Sequence, residues 1–143
     1  MAAPTDVASR ADVEALLWRF YGRVLVDDLL AEPFAEIRSK GLAAHIPVMC
    51  DFWETALFRA GLYRGNALQV HRHVHDGHRL SDSHFMRWLE LWCDTVDEMY
   101  AGPVAERAKV QGTRIARSLH LRLTGTGSPE LDAQVRRKAQ LFR

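Results

Sequence analysis

The chain is short of most things that would announce a specialised class. Its two cysteines, Cys50 and Cys93, lie far apart and outside any CxxC spacing. That excludes a disulfide framework and a four-thiolate zinc site, and predicts free, buried thiols in a reducing compartment. No stretch approaches the roughly 20 uninterrupted apolar residues a membrane span needs, and the N-terminal MAAPTDVASRADVE has no apolar signal core. Neither charge sign dominates: 19 Lys and Arg against 18 Asp and Glu leave +1, so no whole-chain field favours a nucleic acid or an anionic membrane. A glycine-rich dinucleotide fingerprint, an internal repeat, a low-complexity tract and period-two alternation between hairpin turns are all missing as well. What remains is a chain of 143 residues, 48% hydrophobic and 26% charged, in the range of one soluble globular domain. The expectation is a single cytoplasmic domain over 1–143, with its core over about 10–123 and a polar, helical extension over 124–143.

Apolar residues recur at helical spacing almost throughout, so an all-α fold is expected. Ser9 and Asp12 have the spacing of a capping box, and Val13, Leu16, Leu17, Phe20, Tyr21 and Val24 form the stripe of a helix predicted to run to about Leu30, before Pro33. A second stripe follows Gly41: Leu42, His45, Ile46, Met49, Phe52, Trp53, Ala56, Leu57 and Ala60, stopped by Gly61. Tyr63 to Asn66 reads as a turn, and a short segment behind it puts Ala67, Val70, His71 and Val74 on one face until Asp76-Gly77 breaks it. Ser81 then caps a long helix carrying Phe85, Trp88, Leu89, Trp92, Cys93, Val96, Met99 and Tyr100. Gly102-Pro103 closes that helix and opens another to Leu123, with Val104, Ala108, Ile115 and Leu119 inward. After Gly125 to Gly127, Ser128-Pro129-Glu130 starts a terminal helix with little to bury, ending in basic residues.

The informative residues are polar ones on faces that should be buried. Tyr21 is in line with Leu17 and Val24, His45 with Leu42 and Met49, and His71 with Val70 and Val74. A buried polar group without a partner costs about 1–3 kcal/mol. Singly, each finds an ordinary partner in a core; jointly, with the indole donor of Trp88, they call for a polar ligand or a metal. A flat apolar cofactor with a central metal, held by one histidine and faced by hydrogen-bond donors, uses all four residues, and heme fits that description. Phe20, Phe34, Met49, Phe52, Trp53, Leu57 and Phe85 are the candidate pocket walls, although aromatic stripes of this kind equally make plain core.

Four segments, FYGRVLVDDLLAEPF, AAHIPVMCDFW, YRGNALQVH and HFMRWLELW, occur in an order that resembles the group III truncated hemoglobins over roughly residues 12–122. The resemblance implies a shortened globin, a two-over-two helical sandwich around heme b. It further implies His71 as the proximal iron ligand, Tyr21 and Trp88 as distal donors, and His45 as the distal histidine and candidate gate. Reversible binding of O2, NO, CO or another small ligand is the function it implies. The alternative at the same iron is redox chemistry (nitric oxide dioxygenation, peroxidase-like turnover or sulfide handling), which calls for an external reductase because no flavin or nicotinamide domain fits in this length.

The stretch from His71 to His78 departs from the family pattern in length and histidine content. His71 and His75, at i and i+4, with His78 or His84 would make a zinc site, although HExxH is absent. His71 shares the apolar face and His73 falls off it; Arg72 and Arg79 are the nearby cations for heme propionates. A third function, a partner- or DNA-binding module using Arg136-Arg137-Lys138, has the near-neutral charge against it, so no nucleic acid and no membrane partner is expected.

Overall fold

The computed structural model describes residues 3–58, 80–125 and 127–141, with side chains to 137. All the regular structure among them is helical: α1 (Arg10–Val24), α2 (Ala35–Lys40), α3 (Leu42–Phe58), α4 (Asp82–Met99), α5 (Pro103–Thr124) and α6 (Pro129–Leu141). The predicted turn at Tyr63, the short helix with His71 and the histidine-rich stretch lie outside the described residues.

The stripes bury where their spacing says they should. Val13, Leu16, Leu17, Phe20, Tyr21 and Val24 of α1 are all buried, against α3 and α4. Ile46, Cys50, Trp53 and Leu57 form the inward face of α3. Both cysteines are buried and free. Ions clamp the outer edges of this packing. Arg10 reaches Asp51 at 2.7 Å and Glu54 at 3.0 Å on α3, and Arg19 and Arg23 of α1 both hold Glu98 of α4. Lys109 of α5 is itself buried, with Asp97 and Glu106 as its counter-ions.

Three boundaries differ from the sequence reading. Ser9 makes no side-chain cap to α1; the Asp12 carboxylate instead accepts the N–H of Ala8 at 2.8 Å. Next, α1 stops at Val24 and not near Leu30. The Asp27 carboxylate accepts the backbone N–H groups of Leu29 and Leu30, 3.1 Å each, and so turns the chain where propensity alone would let the helix continue. Finally, the terminal helix does have something to bury. Leu131 is 2% exposed, and Gln134 donates to the Met86 carbonyl at 3.0 Å, docking α6 on α4. The stops at Gly102-Pro103, Gly125 and Ser128-Pro129 are as expected, Gly125 being left-handed at φ 81°.

Two features of α5 were not legible beforehand. Its first turn is capped by Asp6, far away in sequence, whose carboxylate accepts the N–H of Val104 at 2.9 Å and Ala105 at 2.8 Å. Burial pushes the Asp6 carboxyl up, but these bonds, the Val7 N–H and the charge of Arg107 outweigh it and hold it below its ordinary value. Further along, Gly112 leaves the space that Trp92 fills: a Cβ there would lie 2.5 Å from Cδ1 of Trp92. The Trp92 indole N–H donates to the Ala108 carbonyl one turn earlier, at 3.0 Å.

Replacing Gly112 by Ala should add about 1 kcal/mol of helix propensity, yet force an overpacked contact worth about 1–3 kcal/mol. The expected outcome is a lower Tm in thermal denaturation followed by circular dichroism, whereas an unchanged or higher Tm would show that Trp92 does not need the gap.

Candidate functional site

A small apolar cavity of about 30 Å³ lies between the 25–34 segment, α4 and α5. Leu30, Phe34, Leu80, Phe85, Trp88 and Leu119 are among its walls, and His84 also lines it. Of the residues nominated from sequence, Phe34, Phe85 and Trp88 line this space. Phe20 and Tyr21 stand next to it: Phe20 meets the Tyr21 ring at 5.0 Å and the Trp88 ring edge-on at 5.5 Å. Trp53 stacks on Trp92 deeper in the core, and Leu57 is buried on the same face of α3. Met49, Phe52 and His45 are half-buried on α3. His71 lies outside the described residues.

Tyr21 is the polar residue most deeply committed to this region. Its phenol is buried, and burial pushes its pKa up to about 12. The hydroxyl donates to Sδ of Met49 at 3.6 Å, a thioether being a weak acceptor. The donor is therefore held in place by a bond that a stronger acceptor displaces at small cost.

The cavity walls are fixed by polar couplings outside it. Asp27, whose side chain is 6% exposed, pairs with Arg87 at 2.7 Å, one residue before Trp88. Burial pushes the Asp27 carboxyl up, but the Arg87 guanidinium and the two backbone N–H groups prevail and keep it ionised below its ordinary value. Leu30 and Phe34 are thereby tied to the helix that carries Phe85 and Trp88. On the opposite side, Phe85 packs edge-on against the buried imidazole of His120 at 5.1 Å. His120 Nε2 bonds Asp82, and the other Asp82 oxygen accepts the Ser128 hydroxyl at 2.8 Å, while Ser128 Oγ accepts the Leu131 N–H of α6. His84 accepts the Ser81 N–H on Nδ1 at 2.9 Å, which in the neutral ring leaves the proton on Nε2. Asp27, Arg87, Asp82 and His120 carry no motif at helical spacing; in the structure the burial of Asp27 and His120 singles them out, with Arg87 and Asp82 as their more exposed partners.

Among the described residues no cluster of His, Cys, Asp and Glu could hold a bare metal ion, and no helix is long and apolar enough to cross a membrane. His71, His75 and His78 of the zinc alternative lie outside the described residues.

Comparison with protein-family models finds no match, and neither does comparison with curated proteins. Among solved structures, the chain is similar to the crystal structure of a group III truncated hemoglobin from Campylobacter jejuni, with a TM-score of 0.75 at 19% identity, over 85% of this chain and 95% of that one. The likeness establishes the fold, an all-α truncated globin fold.

A phenol held near 12 gives a direct test. Because the folded state keeps the Tyr21 proton above the ordinary value of 10.0, stability should be intact below about pH 10 and fall between about 10 and 12. Ultraviolet titration should show one phenol ionising near the upper end of that window, absent in Tyr21→Phe. Ionisation of every phenol near 10 would contradict the buried placement.

Proposed function

We propose that this chain is a heme protein that binds O2 or another diatomic ligand reversibly. The observation that carries this reading is the buried Tyr21 hydroxyl, resting on a thioether and joined through Phe20 to the Trp88 wall of an apolar cavity, in a truncated globin fold. The chemistry of the lining suits heme b: its walls are aromatic and aliphatic, as a flat apolar group requires, and Tyr21 and Trp88 are the hydrogen-bond donors this reading assigns to it. Heme, when bound, supplies the iron that ligates the diatomic molecule. His71 is its proximal ligand in this reading, with His45 as a gate on α3.

The chain's own part is to exclude water and present hydrogen-bond donors. Donors aimed at negative charge in a dry, low-dielectric site stabilise it more than water does. Toward such charge on a bound ligand, Tyr21 would exchange its weak bond to Met49 for a stronger one, and the Trp88 N–H would add a second. Redox turnover at the same site, with an external reductase, is the second reading; the stacked tryptophans beside the cavity favour it.

The test is the absorption spectrum of the purified protein, ferric, dithionite-reduced and exposed to carbon monoxide, with heme added to a colourless preparation. A Soret band that shifts at each step and is lost or altered in His71→Ala is expected; no Soret band after heme addition would overturn the reading. In the loaded protein, Tyr21→Phe should speed oxygen dissociation about tenfold, the worth of one charge-assisted hydrogen bond of about 1.5 kcal/mol. Unchanged stopped-flow rates would remove Tyr21 from that role.

A further inference from the structure

Three indoles share their faces in this core. Trp88, on the cavity wall, lies 12° from parallel to Trp92 at 6.1 Å, and Trp92 stacks on Trp53 at 4.4 Å and 22°. The phenylalanines around them do otherwise. Phe20 meets Trp88 at 89° and Trp92 at 83°, and Phe52 meets Trp53 at 90°, the edge-on geometry that aromatic quadrupoles also favour. Gly112 gives up a side chain in mid-helix so that Trp92 can take this place. The stack thus runs without a break from the cavity on α4 to the buried face of α3.

Indole is among the side chains most easily oxidised by one electron, and a positive charge on one ring is stabilised by the π-face of the next. The Trp92 N–H donates to the Ala108 carbonyl, an oxygen too weakly basic to take the proton away. An oxidised Trp92 therefore keeps its proton, and its charge stays free to pass to either neighbouring ring.

We propose that Trp88, Trp92 and Trp53 form a relay that draws an oxidising equivalent out of the cavity into the core when the protein reacts with hydrogen peroxide; this rests on the heme reading above. As the O–O bond of peroxide breaks, one oxygen leaves as water and the other stays with the oxidised heme group; one electron comes from the heme group and one from the indole stack, which is left as a radical cation. A one-electron donor in solution, such as ascorbate, returns both electrons in two steps and, with two protons from water, the second oxygen leaves as water.

The experiment uses the heme-loaded protein, its Soret band verified, mixed with hydrogen peroxide, freeze-quenched and read by electron paramagnetic resonance. A tryptophanyl radical is expected in the parent chain and equally in Trp18→Phe, since Trp18 is 42% exposed on α1 and outside the stack. The signal should fall severalfold in Trp53→Phe and vanish in Trp92→Phe, whose heme should also bleach severalfold faster. Heme-free protein supplies a second readout: stacked indoles give an exciton couplet in circular dichroism, weakened in Trp53→Phe, where Trp88 and Trp92 stay stacked, and lost in Trp92→Phe. Should Trp92→Phe fail to fold, Trp53→Phe carries the test. A radical unchanged in Trp53→Phe, one lost in Trp18→Phe, or a missing couplet overturns the relay while leaving the heme reading intact; a missing Soret band overturns both.

Discussion

Three helices meet the indole of Trp92, each by a different kind of contact. Phe20 of α1 presents its edge, Trp53 of α3 its face, and α5 offers both a carbonyl, at Ala108, and an empty place, at Gly112. A close-packed interior tolerates a group of this size only when every neighbour is cut to its shape. Gly112 belongs to this fit, because a Cβ there would meet the Trp92 ring. Trp88, one turn before Trp92 on the same helix, is on the cavity wall, and Phe20 lies edge-on to both indoles.

Around that apolar centre the polar chemistry is arranged in two tiers. Inside, donors are few and weakly engaged, as with Tyr21 on a thioether. Outside, the walls are tied by polar couplings: the Asp27–Arg87 ion pair on one side, and Asp82 hydrogen-bonded to His120 and Ser128 on the other. Asp27 is the buried member of its pair, so removing Arg87 leaves its carboxylate without its counter-ion.

The helical stripes, the glycine-proline stops and the inward direction of Tyr21 could be read in the sequence because they follow from spacing and local backbone chemistry. The end of α1 could not, since helical spacing continues past Val24 and only the bonds of the Asp27 carboxylate to the Leu29 and Leu30 N–H groups turn the chain there. The place of Gly112 is visible only with the Trp92 ring beside it. The terminal helix read as having little to bury because Leu131 and Gln134 are a thin signal beside so many basic neighbours. Trp53, nominated as a pocket wall on its stripe, stacks on Trp92, a contact that helical periodicity has no means to foresee. The fold was legible before the site, because a periodic pattern reports which face is inward and not what it meets there.

The cap that Asp6 places on α5 closes a loop of 98 residues, among the longest that this chain can form. Loop-closure entropy grows with the logarithm of length, and contacts of such sequence separation are costly until the intervening helices have packed. The bond is thus made late on the way to the native state and contributes little to the folding transition state. Its effect falls on the reverse step: an interaction absent from the transition state slows unfolding and leaves the folding rate nearly untouched. The eight or so residues before α1 act, in that sense, as a kinetic fastener, setting how long the helices stay assembled once they have met.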